Sequence, residues 1–531
     1  MNVVVIGGGL SGLSSALALS QAGVEVTLIE RSPRLGGRAC SVPHKRLGIE
    51  IDLGQHAILG CCTSLIDFYR RIGALDCLEF HDSLAFAGKS GFEHLKLSAL
   101  PQPLHLLPSF LRSGSLTFKD KLNAWHLLTS VHCHALPPDP PYPVSFDSRD
   151  PYFVPLSKGD HRGSRPSKST PHHVLEPDIS AAEWLARLGQ SKSAIAGFWE
   201  PVLVGALNER LDRASARYAA LVVRLAMLGS RDGFKMGVHT KPLSEAHHRR
   251  AKRALEEYGV TIHLNEEAVS ASNSNGTFQI ATRAGRQYAA THVVIGGAQI
   301  AAGLFPPNTF LTSSGLTPEM CPEQVPIVTL YLWLNDLISL PKVLCMPQGN
   351  FHWCFDRTAF VSDVQAKGSD LFFRAAGEEW DLTPSDGISS FQPNAGSPVS
   401  GPIHHSSLIT HRFPGTALSL VWSAAREAAR LSQSEITAIG VNELEQVLGR
   451  KLPKVDSSLV VRVAAATFSP FVGSDLVRPV PRTRIDSLYV AGDWSDTGWP
   501  GTMESAVRSG YASAAEILMH NPLSPGGRGS G

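Results

Sequence analysis

The sequence predicts an α/β fold with an α+β portion interleaved in it, and three observations carry that expectation. Residues 3–6 (Val-Val-Val-Ile) are a short β-branched run, the pattern of a parallel strand buried on both faces. Glycines stand at 7, 9 and 12, and Leu13, Ala16, Leu17 and Leu19 then follow at helical spacing to about Ala22. Far along the chain, a strand at Ser487–Ala491 runs into Gly492-Asp493, and a helix is expected from about Thr502 to Met519.

The first unit is the most informative. Gly23 ends the helix and Val24–Ile29 reads as a second strand, so the chain opens with a βαβ unit. Within it, Gly7-x-Gly9-x-x-Gly12 follows a strand and opens a helix, the context that the Rossmann-type dinucleotide motif requires. Gly7 permits the tight turn, Gly9 lets a pyrophosphate approach the backbone, and Gly12 lets helix and strand pack closely. The helix N-terminus offers free N–H groups to phosphate. Glu30 closes the second strand, placed to take a ribose hydroxyl pair.

Further helices are expected at Ile179–Leu188, Ala194–Leu207 and Ser215–Met227. Strands are expected at Val260–Leu264, His292–Ile295, Val325–Leu334 and Ala417–Trp422. Residues 134–176 and 382–407 are rich in Pro, Ser and Gly and read as mobile insertions; 521–531 reads as a disordered tail. The expected organisation is one domain built from 1–70, 230–300 and 455–520, and a second from 71–229 and 301–454.

Composition narrows the function. The 531 residues are 43% hydrophobic and 18% charged, with 48 Lys and Arg against 47 Asp and Glu. A net charge of +1 gives no electrostatic footprint for nucleic acid. The eight cysteines are scattered with no CxxC, which reads as a reduced, cytosolic chain. The uncharged start, 1–24, lacks a basic leader and is too rich in glycine for a membrane span. His132-Cys133-His134 lacks further ligands at metal-binding spacing, so no metal is expected. His172-His173, His247-His248 and His404-His405 read as solvated loop residues.

The residues after Glu30 choose the cofactor. Glu30-Arg31-Ser32-Pro33-Arg34-Leu35-Gly36-Gly37-Arg38 resembles the extended fingerprint of flavoproteins of the amine oxidase and phytoene desaturase superfamily. Two glycines let backbone lie against a cofactor, and Arg38 supplies a fork for an anion. The C-terminal segment resembles the closing FAD motif of that superfamily. There Asp493 is implied to take a ribityl hydroxyl, and the helix start at Thr502 and Met503 to face the flavin with its positive end. Glu504, in the first turn, is expected to complement that dipole. FAD is therefore expected rather than NAD.

Three blocks resemble one family within the superfamily, hydroxysqualene dehydroxylase. They are Asp52-Leu53-Gly54-Gln55-His56, the pair Phe198-Trp199-Glu200-Pro201 and Ala206-Leu207-Asn208, and Trp353-x-Phe355-Asp356-Arg357. Ala491–Gly498 and Glu504–Gly510 resemble its C-terminal block. The sequence departs from that family at the two insertions and at Val463-Ala464, where an acidic residue is expected. The resemblance implies reduction of hydroxysqualene to squalene, with hydride from the flavin and a proton donor to help hydroxide leave. His56 is the candidate donor, and Gln55 the candidate to position the hydroxyl or the flavin; Gly54 lies against the cofactor. A carotenoid-type desaturase or isomerase and a flavin amine oxidase are the rival enzymes, and a non-catalytic FAD-binding scaffold the rival of another class. Trp199, Trp353, Trp494 and Trp499 are candidates to line an apolar cavity, with core packing the alternative. A long-chain isoprenoid substrate comes from a membrane. Leu104–Arg112, with Lys119 and Lys121, is thus a candidate interfacial segment at the inner membrane face, with a core or domain-interface segment the alternative, and squalene-pathway enzymes are candidate partners.

Overall fold

A computed structural model describes residues 1–44, 49–88, 91–101, 104–132, 178–304, 323–359, 380–382 and 415–521. The expected insertion 134–176, nearly all of 382–407 and the tail from 522 lie outside these residues. Leu382 itself ends a strand at Trp380–Leu382.

The opening run forms the centre of a five-stranded parallel sheet. In order across the sheet, the strands are Thr261–His263, Glu25–Ile29, Asn2–Ile6, His292–Ile295 and Leu488–Val490. Alternation sends Val3 and Val5 to one face and Val4 and Ile6 to the other. Val3 and Val5 pack with Leu13, Leu17, Val507 and Ala514. Val4 and Ile6 pack with Phe278, Ile280 and Ala290 of an antiparallel three-stranded layer at 268–290. Both faces are covered, which is why the strand reads as a continuous apolar run.

The helices that matter for the site are α1 (Leu10–Gln21), α2 (Thr63–Arg71), α3 (Leu107–Arg112), α4 (Phe118–His132) and α5 (Met503–His520). Helix α5 lies directly on α1. A Cβ at Gly510 would stand 2.1 Å from Ser14 Oγ and 2.2 Å from Ser11 O, so only glycine permits this approach. Ser14 Oγ then donates to Val507 O at 3.2 Å.

The second body centres on an eight-stranded mixed sheet. Its order is 380–382, 455–468, 324–334, 416–422, 353–356, 343–345, 83–88 and 91–96. One face packs Leu330, Leu332, Leu420 and Val460 against Ile436 and Leu444 of the helix Gln433–Leu448. On the other, Tyr331, Trp333, Leu459 and Val461 meet Ile49, Ile51 and Leu53. Beyond lies a helical layer, where Phe198, Trp199, Leu203, Tyr218 and Trp353 share a core.

Two sequence expectations change here. Residues 455–468, expected with the dinucleotide domain, are a strand of the eight-stranded sheet, running antiparallel to Gln324–Leu334. Leu459, Val460 and Val461 alternate between its two cores, and only Phe468, at the strand's end, joins Leu488, Val490 and Trp494 beside the parallel sheet. The helix expected over 194–207 is interrupted by a wider turn at Ile195–Trp199 before Glu200–Leu207 resumes. Pro201 has no N–H to continue the i→i−4 ladder, and the irregularity ends against it.

Candidate functional site

The glycine turn is built for a close approach. A Cβ at Gly12 would sit 1.9 Å from Gly7 O, so α1 can start this near the strand only with glycine there. Helix α1 begins at Gly9 with no side-chain cap, and its first residues Leu10, Ser11 and Gly12 are buried. Buried, uncapped N–H groups at a helix start suit a phosphate. The Gly36-Gly37 segment folds back onto this turn: Gly36 N donates to Gly8 O at 2.8 Å, and Gly9 and Gly36 form a parallel bridge. Both Gly36 and Gly37 have positive φ, +111° and +59°. Glu30 is buried beside them, accepting from Gly8 N at 2.5 Å and Ser32 N at 2.8 Å. Its carboxylate keeps lone pairs for a ribose.

The C-terminal segment closes on the same place. Arg38 pairs with Asp493, and Arg38 Nη1 donates to Ala466 O at 3.0 Å. An ion pair between the two expected cofactor residues joins the N- and C-terminal halves of the site. Gly492 N donates to Ser509 Oγ at 2.8 Å, fixing the Gly492-Asp493 turn to α5. Thr502 caps α5 by accepting from Ser505 N at 3.2 Å, and Thr502 and Met503 are half-buried at its start.

Glu504 does something the sequence did not suggest. It is fully buried, and its carboxylate accepts from Ser64 N at 3.1 Å and Leu65 N at 2.7 Å. It therefore caps α2, and Arg508 pairs with it at 2.6 Å. Arg478 was also missed. Its guanidinium donates to Tyr218 Oη at 2.7 Å, Trp499 O at 2.5 Å, Asp493 O at 2.8 Å and Trp494 O at 3.3 Å, and bonds Ser495 O. It also lies over the Phe468 ring at 4.6 Å. One side chain thus organises the whole loop from Asp493 to Trp499.

The Gly54-Gln55-His56 turn lies against the eight-stranded sheet. Gln55 Oε1 accepts from Ser419 Oγ at 2.9 Å, and Gln55 Nε2 donates to His56 O at 3.0 Å. Both ends of this amide are engaged within the protein, so Gln55 holds the turn. Gly54 takes φ +92°. His56 is half-buried, and its Nδ1 lies 3.0 Å from Gly54 O, which fixes the proton on Nδ1 and leaves Nε2 as an acceptor. Desolvation, the largest cause, lowers the His56 pKa; the Gly54 carbonyl and Asp52 oppose it. Burial thus favours the neutral form of this imidazole.

Behind the turn sits a buried network. Tyr69 Oη lies 2.5 Å from His247 Nε2 and 2.7 Å from His239 Nε2. His247 Nδ1 is 2.6 Å from Ala39 O, so it carries the proton there. His247 Nε2 is thus an acceptor for Tyr69 Oη, and His239 Nδ1 lies 3.4 Å from His56 O. His239 O in turn accepts from Arg357 at 2.7 Å, and Arg357 pairs with Asp52 at 3.3 Å. The network ties the Gly36–Ala39 loop to the strand beside the Gly54–His56 turn. His247, expected as a solvated loop residue, is fully buried within it, and His248 Nδ1 accepts from Leu35 N at 3.2 Å.

Burial pushes His247 down to about 4 and His239 well below its ordinary value. The unfolded chain protonates these groups near 6.5, so between pH 6.5 and about 4 it binds more protons than the folded one. Stability is accordingly expected to fall as pH drops through that window, with His247 alone contributing about 3 kcal/mol. Thermal melts from pH 7.5 to 4.5 check this; a flat midpoint down to pH 4.5 would rule it out.

The tryptophans divide. Trp199, Trp353 and Trp494 are core residues with their indole N–H groups bonded to Gln190 Oε1, Pro201 O and Ala491 O. Trp499 is half-buried beneath Arg508, 4.7 Å from its ring centre. Val463 and Ala464 lie half-buried on the strand 455–468. Among the described residues no group of His, Cys, Asp and Glu could hold a metal ion. His132 lies at the end of α4, and Cys133, His134, His172-His173 and His404-His405 lie outside the described residues.

The model of the flavin-containing amine oxidoreductase family matches residues 10–322 and 350–518. The chain belongs to that family. It is an FAD-dependent oxidoreductase, and the site fits the cofactor: Gly7–Gly12 and Gly36-Gly37 form a cradle closed by Glu30, Arg38 and Asp493. Over 98% of its length the chain is 22% identical to zeta-carotene desaturase of Synechocystis, covering 97% of that protein. It is 23% identical to hydroxysqualene dehydroxylase of Zymomonas mobilis over 97% of this chain and 99% of the relative. A second hydroxysqualene dehydroxylase, from Rhodopseudomonas palustris, is 24% identical, over 97% of this chain and 98% of that relative. Putrescine oxidase bound to putrescine has the same fold, with TM-score 0.60 and 14% identity over 98% of this chain and 99% of that one. Cyclohexylamine oxidase of Brevibacterium oxydans gives 0.56 and 16%, at the same coverage of each chain.

Proposed function

We propose that this flavoprotein reductively removes the hydroxyl of hydroxysqualene to give squalene. The observation that carries the reading is the Gly54-Gln55-His56 turn, which resembles the dehydroxylase signature and is braced on Ser419 of the second body. Relatives of that name cover nearly the whole chain. When bound and reduced, FAD supplies the hydride. The protein's part is to bind the chain-like substrate, exclude water and manage one proton at the departing oxygen. His56 Nε2 is the group available for that proton, and a negative charge placed nearby favours its protonated form. The balance is one hydride and one proton in, water and squalene out. Enzymes that make hydroxysqualene are the natural partners for handing over so insoluble a substrate.

A second reading is a carotenoid-type desaturase, favoured by the zeta-carotene desaturases of equal identity and by the neutral His56, an acceptor rather than a donor. The two differ in electron direction. Chemically reduced holoprotein, mixed anaerobically with hydroxysqualene in detergent, is expected to yield squalene with stoichiometric flavin oxidation. No squalene from intact, reducible flavin would overturn the reading. Desaturated product from zeta-carotene with oxidised holoprotein would replace it.

A further inference from the structure

Helix α4 carries apolar residues on two opposite faces. Ala124, Leu127, Leu128 and Val131 pack into the core with Phe198 and Trp199. Phe118 and Leu122 point away from it, 80% and 58% exposed, with half-buried Trp125 one turn further along. At 3.6 residues per turn these three form one stripe, and Lys119 and Lys121 fall on either side of it. Lys121 Nζ donates to Leu111 O at 2.8 Å, which fixes the end of α3 beside the stripe. There Leu111 is 57% exposed and Arg112 is exposed. Asp120 is the only acid in 104–132; it is 2% exposed and bonded to Thr117 N and Oγ. The outward surface of this segment therefore presents large apolar side chains and cations, with no exposed acid.

We infer that α4 and the end of α3 dock on a bilayer bearing anionic phospholipid. Apolar side chains in one plane with flanking cations suit the boundary between headgroups and acyl chains. A second copy of the chain fits poorly, because self-pairing sets Arg112, Lys119 and Lys121 against their own kind. The interface differs from the one the sequence suggested: in Leu104–Arg112, His105, Leu106 and Phe110 are buried, and the outward residues lie mostly on α4. No described helix is long and apolar enough to cross a membrane. The inference deepens the isoprenoid reading, since such substrates reside in bilayers, but its test needs no turnover.

The full holoprotein is sedimented with vesicles of phosphatidylcholine alone and of equal parts phosphatidylcholine and phosphatidylglycerol. Binding to the mixed vesicles is expected, weaker at high salt and on pure phosphatidylcholine. Phe118→Ser with Leu122→Gln is expected to weaken it about tenfold or more, and Arg112→Gln with Lys119→Gln to remove the preference for phosphatidylglycerol. Flavin absorbance shows that these surface variants are folded, and activity on detergent-dispersed substrate stays at the wild-type level. Absence of vesicle binding by the wild type, or unchanged binding by the stripe variant, overturns the inference. So does a loss of dimer mass in the stripe variant without any vesicle binding. Failure to convert hydroxysqualene, with vesicle binding intact, counts against the function alone.

Discussion

Replacing His56 by alanine is expected to leave FAD bound and to lower turnover by roughly 10²–10⁴-fold, the usual worth of a placed proton-transfer group. Cofactor retention follows from the site's construction. The His56 ring bonds Gly54 O, whereas the cofactor cradle rests on Gly7–Gly12, Glu30, Gly36–Arg38 and Asp493. The pH profile of the wild type then tells donor from acceptor. A donor must be protonated, so turnover falls as pH rises through the His56 pKa. An acceptor must be neutral, so turnover falls as pH drops through it. Desolvation lowers that pKa, so a free-enzyme limb is expected on the acid side of the ordinary value for histidine. His56→Gln separates shape from charge, because its amide can fill the place without titrating. Full activity with His56→Ala removes His56 from the chemistry, whichever substrate is turned over.

How much of this was legible depends on how far apart in sequence the partners lie. The opening βαβ unit was readable because each of its causes is local. Val3–Ile6 alternate onto two covered faces, and the turn glycines and Glu30 lie within one unit. The Gly54-Gln55-His56 turn was readable as a motif, but its physics was not. Gln55 spends its amide on Ser419, 364 positions away, and nothing near residue 55 announces that partner. Glu504 is similar. Its first-turn position suggested service to its own helix, yet its carboxylate caps α2, 440 residues back. His247 looked solvated because the local sequence is charged, Arg249 and Arg250 included. Only the fold shows those arginines facing Glu50, Glu245 and Asp76 while His247 turns inward to Tyr69. A buried polar network has no periodicity, so sequence spacing cannot reveal it.

Arg478 is the largest such omission, and Arg478→Ala is expected to cost both stability and cofactor. The residue is buried, and its loop, Val477-Arg478-Pro479-Val480-Pro481, carries no motif. Four carbonyl oxygens, those of Asp493, Trp494, Ser495 and Trp499, share its donors. Alanine leaves them without those donors inside the protein, and each unsatisfied buried group costs about 1–3 kcal/mol. The loss falls on the loop that presents Asp493 to the cofactor and leads into α5. The expected readouts are a lower melting temperature and flavin lost during purification. Arg478→Lys is expected to recover little, because one compact ammonium cannot reach carbonyls spread from Asp493 to Trp499 while also keeping the contact over the Phe468 ring. Added FAD separates the two losses. If the variant melts normally once saturated with FAD, Arg478 acts mainly on the cofactor loop; if it melts low even then, the arginine also holds the junction of Phe468, Tyr218 and α5. Wild-type melting and wild-type flavin content in Arg478→Ala contradict both roles. A fan of hydrogen bonds from one arginine would then be redundant with the Arg38–Asp493 pair and the Ser509 bond to Gly492, the other ties that hold this turn.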